Sequence, residues 1–171
     1  MTIYSGIGTR QITAKTHLCL QDIGEALAKR HWLLRSGGAS GCDQAFEAGC
    51  DKGKGKKEIF LPWKNFEGNP SKLFTPSPDA FELAARIHPA WGILTQGGQK
   101  LHARNCHQVL GADLVTPVHI VICFTPGGAE TGGTSQAIRL ARENSIPVLN
   151  LGTKETWTVE EVLAMLEKVG A

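Results

Sequence analysis

The chain has 171 residues, of which 42% are hydrophobic and 20% charged, and a formal net charge of +2 at pH 7. No apolar run approaches the roughly 20 residues needed to cross a bilayer, and the composition excludes disordered and collagen-like chains. The charge is too mild to mark a nucleic-acid binder by itself. Met1-Thr2-Ile3-Tyr4-Ser5-Gly6 lacks the basic flank and apolar core of a secretory signal. Five cysteines form an odd set without a C-x-x-C pair. Reduced thiols and a cytoplasmic setting are therefore expected. No H-E-x-x-H occurs, and His102 and His107 are five apart, off a shared helical face. No metal site, no cofactor and no membrane association are expected.

Thr2 to Tyr4 is β-prone and runs into Ser5-Gly6-Ile7-Gly8-Thr9-Arg10. A helix is predicted from Ala14 to His31, with Leu20, Ile23 and Leu27 on one face. Trp32 to Arg35 reads as a second strand, broken by Ser36-Gly37-Gly38-Ala39-Ser40-Gly41, and Asp43 to Cys50 as a helix. The basic run Lys52 to Lys57 reads as a solvated loop. Glu58 to Leu61 is a third strand stopped by Pro62, and Trp63 to Thr75 is rich in turn residues. Ser77-Pro78 begins a helix that Pro89 ends, a capping serine followed by proline at the first helical position. Leu101 to Leu110 is a further helix, closed by Gly111.

Val118 to Phe124 is nearly continuous in apolar residues, as in a parallel strand buried on both faces. After the glycine-rich loop Pro126 to Gly133, Thr134 to Asn144 is helical and Pro147 to Leu151 is a fifth strand. Thr158-x-x-Glu161 forms a capping box for a last helix. Strands alternating with helices imply right-handed βαβ units. The expectation is one α/β domain over residues 1–171, a doubly wound Rossmann-like fold with a mainly parallel sheet of about five or more strands. Residues 63–98 form a long excursion from it.

In such a sheet the strand carboxyl ends share one edge, where ligands bind. Three loops of small residues follow strands there: Ser5 to Arg10, Ser36 to Gly41, and Thr125 to Thr134. Glycine lets backbone N–H groups approach an anion, and a helix N-terminus adds partial positive charge. Phosphate is the expected guest. The candidate binding residues are Gly6, Gly8, Thr9 and Arg10; Ser36, Gly37, Gly38, Ala39, Ser40, Gly41 and Asp43; and Pro126, Gly127, Gly128, Gly132, Gly133 and Thr134. Pro62 and Trp63, directly after strand three, join them, Trp63 as a stacking platform.

Ser36-Gly37-Gly38-Ala39-Ser40-Gly41-Cys42-Asp43 resembles the S-G-G-A-x-G-x-D signature of DprA-like proteins. Leu101-His102-Ala103-Arg104-Asn105 and Pro126-Gly127-Gly128 are similar to the arginine helix and P-G-G-x-G-T loop of the LONELY GUY phosphoribohydrolases. Both belong to the SLOG superfamily of Rossmann-like nucleotide-binding domains. The resemblance implies that Arg104 and Asn105 join the phosphate site, Asn105 replacing the family's lysine.

Four residues, Ala129 to Gly132, separate Pro126-Gly127-Gly128 from Gly133-Thr134, and the family's catalytic glutamate falls at Ala137. An alanine supplies no acid or base, which leaves Glu130 as the weak catalytic candidate. The leading expectation is a module that binds a nucleotide or nucleotide-derived signal, as a sensor or a phage-type anti-defence sponge, and works as a homo-oligomer. The alternatives are a phosphoribohydrolase of nucleoside 5′-monophosphates and a mediator that binds single-stranded DNA.

Overall fold

The computed structural model describes residues 1–171. Six strands, β1 (Ile3–Gly8), β2 (Leu33–Ser36), β3 (Lys57–Leu61), β4 (Leu73–Phe74), β5 (Ile120–Phe124) and β6 (Val148–Asn150), form one sheet in the order β4-β3-β2-β1-β5-β6. Every pairing is parallel. The helices are α1 (Ala14–Lys29), α2 (Cys42–Lys52), α3 (Pro78–Ile87), α4 (Gln96–Leu110), α5 (Thr134–Glu143) and α6 (Val159–Lys168). The doubly wound α/β expectation holds.

Alternation along β1 divides the core. Tyr4 joins Leu20 and Leu27 of α1, Phe46 of α2 and Leu166 of α6 on one face. Ile7 joins Val109 of α4 and Ile138 and Leu140 of α5 on the other. Chain order reverses between β1 and β5, which places the topological switch point there. All five cysteines are free and buried in these layers.

Several boundaries differ from expectation. β1 continues to Gly8, since Gly6 and Ile7 pair with Ile122 and Cys123 of β5. A Cβ on Gly6 would stand 2.7 Å from the Phe46 ring, so this glycine makes room for core packing inside the strand. α1 stops at Lys29, and His31 takes a left-handed φ of 62°. β4 lies within the stretch expected to be loop, pairing Leu73 and Phe74 with Phe60 and Leu61. α4 starts five residues early, because the Thr95 side chain accepts a hydrogen bond from Gly98 N at 3.1 Å and caps it. The Ser77 cap and the Thr158–Glu161 capping box form as read.

Candidate functional site

At the carboxyl ends of β1 and β5 lies a cavity of about 590 Å3, and only four of its twenty lining residues are hydrophobic. It suits a polar guest. Gly8, Thr9 and Arg10 line it from the end of β1, Ala39 and Asp43 from the connection into α2, and Arg104 and Asn105 from α4. Pro126, Gly132, Gly133 and Thr134 close the far side.

The loop after β2 is locked into the protein. Ser36 Oγ donates to the Gly6 carbonyl at 2.6 Å, which ties β2 to β1. Gly38 packs against Leu61, and Gly41, at φ 84°, lies so close to the Thr9 and Arg10 carbonyls that a Cβ would approach within 2.5 Å of both. Gly37, Gly38, Ser40 and Gly41 stand behind the cavity wall. The Asp43 carboxylate folds back from the first turn of α2, accepts from the Ala39 N–H at 3.3 Å and lies near the Gly37 and Gly8 N–H groups. An internal anion thus occupies this nest of amides. Burial pushes the Asp43 carboxyl from 3.8 up to about 6, against the pull of Arg104 and of those N–H groups.

Arg104 is buried, and its guanidinium donates to the Gly37 and Phe60 carbonyls and to Asn105 Oδ1. It also lies 5.5 Å from the Phe66 ring centre. Burial lowers its pKa to about 10 while Asp43 opposes the shift. These contacts make Arg104 a brace between β2, β3 and α4 as well as part of the wall. Asn105 Nδ2 donates to the Gly133 carbonyl at 3.2 Å and so positions the loop before α5. Arg10 is exposed, in no ion pair, with its guanidinium carbon 5.7 Å from the centre of the same Phe66 ring.

The loop after β5 behaves differently. Pro126–Gly128 is a 3-10 turn, pinned where Asn150 Nδ2 donates to Thr125 Oγ1 at 2.7 Å. Gly127 and Gly128 adopt left-handed φ and lie outside the lining. From Thr131 to Thr134 four consecutive backbone N–H groups have no partner within the protein, at the N-terminus of α5. Gly132 in turn accepts from Ser135 N and Oγ, which fixes the turn. Glu130 points away, ion-paired with Arg142 on the surface. Ala137 lines the cavity, leaving Asp43 as its one carboxylate.

Gly6, Ser36, Pro62 and Trp63 do not line the cavity. Trp63 rests edge-on against Phe66 at 5.2 Å. The lining adds residues not expected from sequence: Ile7, Gln11, Gly98, Leu101, His102, Gln108, Thr125 and Thr131, besides Ala137. His102 stacks edge-on with His88 at 4.4 Å, and burial, then His88, lowers its pKa to about 4. The early start of α4 brings Gly98 into the wall beside Leu101 and His102, and the Thr95-x-x-Gly98 cap was the available signal. No group of three His, Cys, Asp or Glu side chains converges anywhere in the chain.

No protein-family model matches the sequence, and no curated protein matches it. Solved structures do. The molybdenum cofactor binding protein of the phototrophic bacterium Rippkaea orientalis superposes with a TM-score of 0.64 at 21% identity, over 99% of this chain and 98% of that one. The molybdenum cofactor carrier protein of Chlamydomonas reinhardtii gives 0.62 at 14%, over 99% and 98%. DNA processing protein A of Helicobacter pylori, described with a single-stranded DNA binding mode, gives 0.61 at 18%, over 98% of this chain and 73% of that one. At these identities the likeness is one of fold: an α/β Rossmann-like domain. The six-stranded parallel sheet and its flanking helices are shared with these proteins.

Proposed function

We propose that the chain binds a phosphate-bearing heterocyclic small molecule, a nucleotide or nucleotide-like compound, in the cavity between β1 and β5. The observation that carries this reading is the run of unpartnered N–H groups from Thr131 to Thr134 facing a polar cavity at the switch point. A phosphate seated there meets the positive end of α5, with Arg10 at the rim as a free cation. Asp43 then stands where a carboxylate accepts sugar or heterocycle hydrogen bonds, as acidic residues do for ribose in Rossmann folds.

Binding is favoured over cleavage. Ala137 stands in the wall at the position of the resembled family's glutamate, and Glu130 is engaged outside. On this reading the protein holds, and so withholds, its ligand as a sensor or sponge does, in the cytoplasm and as a homo-oligomer. The near-complete mutual coverage with the molybdenum cofactor proteins makes that cofactor one member of the ligand class to test. Single-stranded DNA ranks below it, because the match covers only 73% of the DNA-processing protein's chain.

The test is thermal unfolding and calorimetry with AMP, ADP, cyclic dinucleotides and molybdenum cofactor. A true ligand at a hundredfold over its Kd stabilises by about 2.7 kcal/mol, and Arg10→Ala weakens its binding. If no phosphate-bearing compound stabilises the protein, the reading fails. Release of adenine from AMP would instead establish the hydrolase.

A further inference from the structure

At the opposite edge of the sheet a second cavity, of about 510 Å3, opens beside the amino ends of β1, β2 and β3. Two of the connections that enter these strands line it with bases: Arg30-His31 before β2, and Lys54-Gly55-Lys56 before β3. The wall holds no carboxylate. Neighbouring acids already belong to other cations, Glu25 to Lys29 and Lys52, and Asp51 to Lys57. Arg30, Lys54 and Lys56 enter no ion pair, so their donors are free.

Helix ends give a competing reason for bases here. α1 and α2 both finish at this edge, and each C-terminus carries about half a negative charge. Three permanent cations and His31 exceed what two such ends require. Both C-terminal turns also place a basic residue, His31 at φ 62° and Lys54 at φ 54°, in the left-handed position usually given to glycine or asparagine. Gly55 seats the second connection on α1, since a Cβ there would lie 2.7 Å from that of Ala28. The cations are therefore held on fixed turns, not on a mobile tail.

We propose that this second cavity binds a compact oligophosphate, the di- or triphosphate tail of a nucleotide or inorganic polyphosphate. Several adjacent phosphoryl charges match several free cations, where a monophosphate would leave most unmatched. Binding along single-stranded nucleic acid calls for a basic track with successive stacking platforms. Trp32 is the one aromatic side chain in this wall, and it packs on Tyr4 with ring centres 6.1 Å apart.

The experiment titrates the 15N-labelled full chain with tripolyphosphate, alongside calorimetry with tripolyphosphate, ATP and a single-stranded oligonucleotide. Amide shifts are expected at His31, Lys54, Gly55 and Lys56. The combined variant Lys54→Gly and Lys56→Ala, in which glycine keeps the left-handed turn, should bind tripolyphosphate at least tenfold more weakly. Lys54→Arg with Lys56→Arg should stay within about threefold of wild type. ATP binding with the same shifts identifies a nucleotide tail, and tripolyphosphate alone identifies polyphosphate. Unchanged affinity in the neutralised variant, shifts confined to Thr131–Thr134, or tighter binding of the oligonucleotide would each overturn the proposal. Failure at the first cavity is read separately, at Thr131–Thr134.

Discussion

The loop after β2 and the loop before α5 are both rich in glycine and other small residues, and both approach one cavity. In the first, the Asp43 carboxylate has folded back to take the Ala39 N–H, and Gly37, Gly38, Ser40 and Gly41 stand outside the lining. In the second, the amides of Thr131 to Thr134 meet no internal acceptor. Glycine content alone therefore does not make an anion site. What separates the two is whether the helix that follows returns a carboxylate to the loop: α2 carries Asp43 in its first turn, and α5 begins Thr134-Ser135-Gln136.

The contrast breaks most sharply by adding one methyl group to each loop. Gly41→Ala drives a Cβ into the Thr9 and Arg10 carbonyls at a left-handed φ, and should cost more than about 3 kcal/mol. Gly132→Ala, at φ 71° but in open space, should cost only about 1–2 kcal/mol and chiefly alter ligand binding. Urea unfolding of both variants measures the gap, and equal losses would erase the distinction.

Next in size is Arg104→Ala. It frees the Gly37 and Phe60 carbonyls and leaves Asp43 without its nearby cation, at an expected cost of about 3 kcal/mol. A folded variant of wild-type stability that merely loses affinity would show that Arg104 serves the ligand rather than the fold.

Asp43→Asn sharpens the comparison through pH. The folded carboxyl titrates near 6 and the unfolded one near 3.8, so the folded chain binds the proton more tightly. Stability from this group is full below about pH 4 and falls as pH rises through 6, by up to about 3 kcal/mol. His102 works in the other direction, its neutral buried ring favouring the fold above about 6.5 and opposing it as pH falls toward 4. Because His102 is common to both proteins, the difference in unfolding free energy between wild type and Asp43→Asn, followed from pH 4 to 7, isolates the carboxyl. A difference that does not change with pH would mean that burial does not raise its pKa.

Much of the architecture was legible because it is written locally. The apolar run ending at Phe124, the Ser77-Pro78 start and the Thr158–Glu161 box each encode one element within a few residues, and each formed. What failed depends on distant partners. Gly6 looks like a turn until Phe46 is packed upon it, and Leu73-Phe74 is a strand only because β3 lies alongside. In the site, the loop before α5 was legible as helix-entry chemistry. The capture of the Ala39 amide by Asp43, the bracing duty of Arg104 and the outward turn of Glu130 were not, since each is decided by which side chain reaches first in three dimensions.

The enclosed cysteines make the intact molecule a poor target for alkylating reagents. Burial raises every one of the thiols, that of Cys50 to about 11 and those of Cys106 and Cys123 to about 12, so hardly any thiolate exists near neutrality to attack an electrophile. Covalent labelling would then count openings of the chain rather than surface encounters. Cys42 lies directly against Gly8, which lines the cavity, so the pace of its labelling would also gauge how firmly an occupant clamps the structure shut.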